Sequence, residues 1–356
     1  MRPHTFSSLS FALVATATSM ACGGDSGRSG DATEGVALTG AGATFPYPLY
    51  SRWFSEYADE TGIRINYQSI GSGGGIRQLS EGTVDFGASD SPMTDEEIAG
   101  ARGPVLHIPM VLGAVTVTYN LPDVADTLSL TGEVIADIFL GNIRKWNDAR
   151  IAALNPGVAL PDEDILVVHR SDGSGTTFIF TDYLGSVSSA WASGPGTGKE
   201  VQWPVGLGAK GNEGVAGQVS QTPGAIGYVE LAYATQNGLS VAKVRNRAGE
   251  FVAPSVQAVT AAAAGVADSL PPDTDYRVSI VNGPGANAYP ISSFTWILVY
   301  REQMDARKGQ ILVDFLRWAL TEGQERAPEL DYAPLPDAMS AALLAKLDSM
   351  EAGPTP

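Results

Sequence analysis

Residues 64–79 form the stretch Arg64-Ile-Asn-Tyr-Gln-Ser-Ile70-Gly-Ser-Gly-Gly-Gly75-Ile76-Arg-Gln-Leu79, which decides the fold class. Its first seven residues alternate between apolar and polar types, a pattern that predicts a β-strand. The segment 71–75 predicts a turn, and the apolar residues 76 and 79 predict the start of a helix. A strand, a glycine turn and a helix in direct succession are typical of an α/β protein with largely parallel sheets.

The same unit recurs elsewhere in the first part of the chain. One strand leads through Thr39-Gly-Ala-Gly-Ala-Thr-Phe45 into a helix with an apolar face. Another unit has a strand at residues 84–88, the polar turn Ser89-Asp90-Ser91-Pro92, and a helix that Thr94 and Glu97 begin as a capping box. Ligands of open α/β sheets lie outside the carboxyl ends of the strands, so we expect these turns to converge on one cleft.

Two strands are predicted in the middle of the chain. The apolar residues 111–119 predict a long strand, which we expect to pass into a second domain. Residues 165–169 predict a buried strand, and Arg170-Ser-Asp172-Gly-Ser174-Gly175-Thr176-Thr177 follows it before a further predicted helix. A fourth glycine-bearing turn therefore comes from another part of the chain.

Composition limits the classes of function. The 356 residues include 22 Lys and Arg against 39 Asp and Glu, and the formal net charge is −17. This balance argues against nucleic-acid binding, which needs clustered cations. An anion site would therefore use oriented main-chain N–H groups and helix N-termini. With one cysteine and three histidines, we expect no disulfide, no metal site and no cofactor.

The N-terminus is typical of an export signal. Arg2 supplies positive charge, residues 9–20 are moderately apolar, and the small Ala21 precedes Cys22. Residues 1–21 are therefore predicted to be a signal peptide, Cys22 a lipidated N-terminus as in bacterial lipoproteins, and residues 22–35 a flexible tether. Ser19 stands where a lipoprotein signal usually has Leu, so ordinary cleavage nearby is the alternative.

The individual turns leave several interpretations open. The turn at residues 39–45 lacks the third glycine of a dinucleotide-binding motif, and a purely structural turn would need the same glycines. The turn at residues 171–177 lacks the lysine of a P-loop and the flanking glycines of a nucleophile elbow around Ser174. His169 is near Ser174 in sequence, so a phosphatase with Ser174 or Asp90 as nucleophile is a rival hypothesis. The alternative for His169 is a position at a sheet edge.

Two acidic residues also have more than one interpretation. Asp172 could hold Arg170 rigid toward an anion through charge-assisted hydrogen bonds, or the two could be a surface ion pair. Asp90 could belong to a binding site, or could serve a turn or a helix cap.

Taken together and in this order, these segments closely resemble the periplasmic phosphate-binding protein family, the substrate-binding lipoproteins of bacterial phosphate ABC importers. The resemblance spans residues 38–336. Its motifs are Leu38-Thr-Gly-Ala-Gly-Ala-Thr-Phe-Pro46, residues 66–75, Val84-Asp-Phe-Gly-Ala-Ser-Asp90, residues 141–146, 170–176 and 203–214, and Pro223-Gly-Ala-Ile-Gly-Tyr-Val229.

The resemblance implies a type II periplasmic binding protein fold, with two α/β lobes joined by hinge strands around a ligand cleft. Lobe 1 would be discontinuous, from residues 36–112 and 288–350, and lobe 2 would cover residues 113–287. The implied function is high-affinity binding of inorganic phosphate outside the cytoplasmic membrane and delivery to the transmembrane permease subunits of an ABC importer, without catalysis. The implied molecule is a monomer that contacts the membrane only through its lipid anchor.

The resemblance also implies the phosphate-binding residues: Thr44, Phe45, Ser72, Asp90, Arg170, Ser174, Gly175 and Thr176. Asp172 would orient Arg170, and Asp90 would accept a hydrogen bond. Because a carboxylate repels an anion that brings no proton, we expect phosphate or arsenate to bind and sulfate to be rejected. Gly73 and His169 stand where the family commonly has serine and arginine.

Overall fold

The computed structural model of the chain describes residues 36–267 and 275–350. The predicted signal peptide, the predicted lipidation site Cys22 and the predicted tether at residues 22–35 lie outside the described residues. No helix in the described ranges is both long enough and apolar enough to span a bilayer.

Short strands alternate with helices along most of the described chain, as the sequence predicts. The strands are β1 (Ala37–Gly42), β2 (Arg64–Ser69), β3 (Phe86–Ser89), β4 (Val105–Tyr119), β5 (Ser129–Leu130), β6 (Leu166–Arg170), β7 (Leu207–Ala209), β8 (Ala225–Glu230), β9 (Ser240–Val241), β10 (Lys243–Arg245), β11 (Phe251–Val252) and β12 (Ser292–Tyr300). The α-helices are α1 (Tyr47–Thr61), α2 (Ser72–Glu81), α3 (Asp95–Ala99), α4 (Gly132–Phe139), α5 (Ala149–Leu154), α6 (Gly175–Val187), α7 (Ser189–Ser193), α8 (Gly211–Gln221), α9 (Leu231–Gln236), α10 (Val256–Ala267), α11 (Ala306–Leu320) and α12 (Asp337–Leu347). A 3₁₀ helix covers Glu322–Leu330.

Most strands belong to one mixed sheet with the order β2-β1-β3-β12-β4-β8-β6-β7, and β9 pairs with β4 beside this path. Strand β1 is parallel to β2 and β3, and β6 is parallel to β7 and β8. Strand β12 is antiparallel to β3 and β4, and β4 is antiparallel to β8. The sheet is therefore parallel in its two outer parts and antiparallel in the middle. A small second sheet has the order β11-β10-β5.

Strand β4 connects the two parallel parts of the sheet. It pairs with β12 as far as Ala114 and with β8 from Val115 onward. It begins at Val105, six residues before the predicted strand, and includes His107, which is 2% exposed. The His107 Nε2 accepts a hydrogen bond from the main-chain N of Met93 at 3.1 Å, so this polar ring can lie inside a buried strand. The division into lobes at residues 112 and 288 stays a prediction.

Helix starts and strand ends agree closely with the sequence pattern. Thr94 and Glu97 form the predicted capping box of α3, and Thr131 caps α4. The strands predicted at residues 84–88 and 165–169 are shifted toward the C-terminus, to Phe86–Ser89 and Leu166–Arg170. Both strands therefore end at the first residue of the polar turns that the sequence singled out.

Aromatic side chains hold α1 and α6 against the sheet. Phe54 of α1 lies 5.5 Å from Phe315 and 6.3 Å from Phe86 of β3, measured between ring centroids. Phe180 of α6 stacks on Tyr228 of β8 at 4.3 Å. All five rings are buried, and such contacts add to the free energy gained by burial. The turns that lead into these two helices are thereby fixed at the carboxyl ends of β1 and β6.

Candidate functional site

Polar groups from several turns meet beside the carboxyl ends of the parallel strands, where α/β proteins place their ligands. Some follow β1 and β3 or begin α2, and others end β6 or begin α6 and α8. We call this group the polar cluster, and its members are Thr44, Ser72, Asp90, Arg170, Gly175, Thr176 and Asn212. All of them are buried. The structure thus brings residues of the segment 44–90 together with residues of the segment 170–212.

Ser72 connects the two parts of the polar cluster. Its Oγ accepts hydrogen bonds from the main-chain N of Asp90 and of Gly175, each at 3.1 Å. A Cβ atom on Gly175 would lie 2.5 Å from this Oγ, so glycine is required for the approach. Gly71 has a φ of +90°, and a Cβ atom there would lie 2.4 Å from Oδ2 of Asp172. Glycine at positions 71 and 175 therefore lets the turn before α2 contact the turn before α6.

Asp90 is the carboxyl group of the polar cluster and is 1% exposed. Its Oδ1 accepts a hydrogen bond from the Thr295 hydroxyl at 2.8 Å, and its Oδ2 lies 3.4 Å from Oγ of Ser72. Burial raises the pKa of Asp90 to about 7, against the opposing effects of the Thr295 hydrogen bond and the Arg170 charge. The carboxyl group can therefore gain or lose a proton near neutral pH. Thr94 caps α3, so the helix-cap interpretation of Asp90 is wrong.

Arg170 and Asp172 form a two-bond ion pair. Nε and Nη2 of Arg170 donate to Oδ1 and Oδ2 of Asp172 at 2.8 Å and 2.5 Å, and Gly211 N donates to Oδ1 at 3.1 Å. Burial alone would raise the pKa of Asp172, but the hydrogen bonds and charge of Arg170 hold it below its usual value. The Arg170 side chain is 1% exposed, so the surface-pair interpretation is wrong. The guanidinium group is held rigid inside the cluster.

Asn212 joins the two threonine hydroxyl groups of the polar cluster. Its Nδ2 donates to Oγ1 of Thr44 at 2.7 Å and to Oγ1 of Thr176 at 3.0 Å. Thr176 Oγ1 also accepts from Nη1 of Arg170 at 3.3 Å. Thr44 comes from the turn after β1 and Thr176 from the start of α6, so one amide group spans both parts of the site.

Two predicted residues, Phe45 and Ser174, lie next to the polar cluster. The Phe45 ring is buried beside Tyr332, and its carbonyl oxygen accepts a hydrogen bond from the Tyr332 hydroxyl at 2.6 Å. Oγ of Ser174 accepts from the main-chain N of Thr177 at 3.0 Å and so caps α6. The hydroxyl proton of Ser174 is left for another acceptor, and Phe45 can offer its main-chain N–H.

The expectation that His169 lies at a sheet edge is wrong. It belongs to β6, which is flanked by β8 and by the edge strand β7, and its ring stacks on Trp203 at 4.8 Å. Its Nδ1 lies 2.9 Å from the carbonyl oxygen of Arg170. Burial lowers the pKa of His169. The error arose because the short, glycine-containing β7 has no strand pattern in the sequence.

Comparison with known proteins identifies the family. A family model described as the PBP superfamily domain matches residues 27–322. The phosphate-binding protein PstS of Pasteurella multocida is 48% identical over 306 residues, which cover 86% of this chain and 88% of that protein. The chain belongs to the PBP superfamily and to its PstS family. The PstS of Methanocaldococcus jannaschii is 40% identical over 310 residues, covering 82% of this chain and 80% of that protein.

Solved structures confirm the predicted fold class, an α/β protein of the type II periplasmic binding protein kind. A phosphate-binding protein from Stenotrophomonas maltophilia has a TM-score of 0.68 and 22% identity, over 87% of this chain and 93% of that one. A high-affinity periplasmic phosphate-binding protein, solved with phosphate at pH 8.5, gives the same TM-score, identity and coverage. At such identities the likeness shows the fold alone.

Gly73, at the position where the sequence resemblance implies serine, lies at a close contact between the two glycine turns. Its main-chain N donates to the carbonyl oxygen of Gly173 at 3.0 Å. A Cβ atom on Gly73 would lie 3.3 Å from Cα of Gly173, which is tighter than ordinary van der Waals contact. Glycine at this position therefore brings the two turns closer than serine would.

Sequence reasoning missed two residues of the site, Asn212 and Thr295. Asn212 follows β7 and begins α8, so the strand-turn-helix rule that identified Thr44 could have found it if β7 had been predicted. Thr295 lies inside β12, where no turn or glycine marks it. Within the described residues, no cluster of three or more His, Cys, Asp or Glu is arranged to hold a metal ion.

Proposed function

We propose that this chain binds inorganic phosphate with high affinity outside the cytoplasmic membrane and delivers it to the permease of a phosphate ABC importer. The observation that carries the proposal is the buried carboxyl group of Asp90, which interacts electrostatically with the buried guanidinium group of Arg170 and shares the polar cluster with hydroxyl and main-chain donors. Such a site suits an oxyanion that still carries a proton. Two relatives that are 48% identical to this chain are named phosphate-binding proteins, which supports this ligand.

In this proposal, phosphate is held by Thr44, Phe45, Ser72, Asp90, Arg170, Ser174, Gly175 and Thr176. Hydroxyl groups, main-chain N–H groups and the Arg170 guanidinium donate to the phosphate oxygens, and Asp90 accepts the phosphate proton. Asp172 keeps Arg170 in position. Hydrogen bonds to charged groups contribute about 1.5–3 kcal/mol each. After the cost of ordering the binding groups is subtracted, several such bonds together exceed the roughly 8 kcal/mol that micromolar binding requires.

We further propose that the two lobes, residues 36–112 with 288–350 and residues 113–287, close around phosphate. The contacts between these segments support a closed arrangement. Nζ of Lys199 lies 2.6 Å from Oε1 of Glu97, and the Tyr233 hydroxyl donates to the carbonyl oxygen of Thr44 at 2.6 Å. The main-chain N of Val115 donates to the carbonyl oxygen of Ile291 at 2.8 Å, next to both predicted crossings between the lobes. These crossings would form the hinge.

Binding without catalysis is supported by the contacts of the residues that the phosphatase hypothesis needs. Ser174 caps α6, and the Nδ1 atom of His169 is directed at a carbonyl oxygen of the main chain. The carboxyl group of Asp90 is held by Thr295. Among these contacts, no base accepts the hydroxyl proton of Ser174. Hydrolysis of a chromogenic phosphate ester by the purified protein would contradict the proposal.

The proposed location is the periplasm or the cell surface, with a monomer anchored through a lipid on Cys22. The export signal in the sequence supports this, and one protein of the same fold is named a periplasmic phosphate-binding protein. Metabolic labelling with a fatty-acid probe, compared between the wild type and Cys22→Ala, tests the anchor. Loss of the label in the variant is expected.

Calorimetric titration of the exported protein with phosphate, arsenate and sulfate tests the proposed function. Phosphate and arsenate should bind, and sulfate should bind at least about 100-fold more weakly, because sulfate brings no proton for Asp90. Failure to bind phosphate, or equal affinity for phosphate and sulfate, would refute the assignment.

A further inference from the structure

The orientation of the Asn212 amide group is determined by a main-chain donor. The main-chain N of Glu230 donates to Oδ1 of Asn212 at 2.9 Å. An N–H group cannot accept a hydrogen bond, so the amide oxygen must face Glu230 and the NH₂ group must face the two threonines. Asn212 is fully buried, and its amide makes these hydrogen bonds at both ends.

Both lone pairs of the Thr44 hydroxyl oxygen are occupied. Oγ1 of Thr44 accepts from Nδ2 of Asn212 at 2.7 Å and from the main-chain N of Asn212 at 3.2 Å. A hydroxyl oxygen has two lone pairs and one proton. The Thr44 hydroxyl can therefore act toward a ligand only as a donor.

The oxygen of the Thr176 hydroxyl group also has both of its lone pairs occupied. Its Oγ1 accepts from Nη1 of Arg170 at 3.3 Å and from Nδ2 of Asn212 at 3.0 Å. Its proton is likewise left for a ligand. Ser72 Oγ also accepts two hydrogen bonds, from the main-chain N of Asp90 and of Gly175. The carboxyl group of Asp90 is then the group of the polar cluster that can accept a hydrogen bond from a ligand.

We propose that Asn212 is a positioning residue that locks the hydroxyl groups of Thr44 and Thr176 as donors and thereby limits Asp90 and a bound oxyanion to one shared proton. The inference rests on the proposed function and deepens it, since it assigns the protonation of the complex to a residue outside the expected binding set. A second proton on the ligand would face two hydroxyl groups that cannot accept it. Replacing Asn212 frees one lone pair on each threonine, so the hydroxyl groups can rotate and accept.

The test compares phosphate affinity in the wild type and in Asn212→Ala by calorimetry from pH 5 to pH 8. At pH 8 the variant should bind about tenfold more weakly, because two donors to a charged ligand are no longer oriented. Below pH 6 the wild-type dissociation constant should rise by about 100-fold per pH unit, because free Asp90 and free phosphate each gain a proton below about pH 7 and a complex with one shared proton must release both. In Asn212→Ala this rise should be clearly shallower.

Asn155→Ala is the matched control. Asn155 is also buried, and its amide donates to the carbonyl oxygens of Ser129 and Ile151 and accepts from Ser129 N, away from the polar cluster. This variant should lose stability in thermal unfolding but keep the wild-type affinity and pH profile. A parallel pH profile for Asn212→Ala and the wild type, or unchanged affinity at pH 8, would overturn the inference alone. A wild type that does not bind phosphate would overturn the proposed function and this inference with it.

Discussion

Thr295 donates a 2.8 Å hydrogen bond from its hydroxyl group to Oδ1 of Asp90. It lies on β12, whose next residue, Trp296, pairs with Ser89 of β3, so the sheet places Thr295 beside the turn after β3. Because Thr295 occupies Oδ1, the other carboxyl oxygen, Oδ2, is the one near Ser72 and Gly175. One atom of Asp90 is therefore fixed by the sheet, and the other faces the polar cluster.

Asp90→Asn should let sulfate bind. The amide oxygen can keep the Thr295 hydrogen bond, which turns the NH₂ group toward the ligand and replaces an acceptor by a donor. Sulfate affinity at pH 8 should rise at least about tenfold, while phosphate affinity changes less. Calorimetry measures both, with the exposed Asp123→Asn as control. Unchanged sulfate affinity in Asp90→Asn would show that Asp90 does not discriminate between the anions.

The same variant should change how stability depends on pH. Burial raises the folded-state pKa of Asp90 to about 7, so its contribution to stability is full below its usual pKa and is lost as the pH rises through about 7. Phosphate-free Asp90→Asn, which does not titrate, should be more stable than the wild type at pH 8, by on the order of 2–4 kcal/mol, and similar at pH 4. Urea unfolding at both pH values measures this. An equal difference at the two pH values would contradict it.

Arg170→Ala should weaken phosphate binding by more than about tenfold, because a buried charged donor is lost. Arg170→Lys should also weaken it, since an ammonium group cannot reproduce the two-bond pairing with Asp172. Arg64→Ala removes the same charge from an exposed position on β2 and should bind normally. Titration with phosphate measures all three variants, and an unchanged isotherm for Arg170→Ala would exclude Arg170 from the site.

Gly175→Ala should reduce phosphate affinity by at least about 100-fold, because the new Cβ would lie 2.5 Å from Oγ of Ser72 and force the two turns apart. Gly217→Ala is the matched control, since a Cβ atom there meets nothing within 4 Å on α8. That control should bind normally and unfold with about 0.5–1 kcal/mol more stability. Normal phosphate binding by Gly175→Ala would mean that the turns need not approach so closely.

Glu230→Gln should become more stable relative to the wild type as the pH rises from 5 to 9. Glu230 is fully buried, with Oε2 accepting from Ala232 N at 2.7 Å and lying 3.1 Å from the Tyr332 hydroxyl, and burial raises its pKa well above its usual value. Its contribution to stability is therefore lost as the pH rises toward that raised pKa, whereas glutamine does not titrate. Thermal unfolding of phosphate-free protein measures the trend, with the exposed Glu250→Gln as control. A constant difference across this pH range would be the contrary result.

Local patterns carried the prediction of the fold and most of the site. A strand, a glycine turn and a helix each depend on neighbours in sequence, so the turns with Thr44, Ser72, Asp90 and residues 170–176 could be predicted at strand ends. The pairing of Arg170 with Asp172 is equally local, since the two residues are two positions apart in the sequence. The binding roles of these residues came from the family resemblance and stay predictions.

The sequence by itself determined the α/β class, the family and the turns that meet in the polar cluster. Only the tertiary structure decided that β7 pairs with the strand of His169, that Asn212 joins Thr44 to Thr176, and that Thr295 donates a hydrogen bond to Asp90. The physical reason is distance along the chain: Asp90 and Thr295 are 205 positions apart, and Thr44 and Asn212 are 168 positions apart. Hydrogen bonds over such separations leave no periodic pattern, because they form only when the whole sheet has brought its strands together.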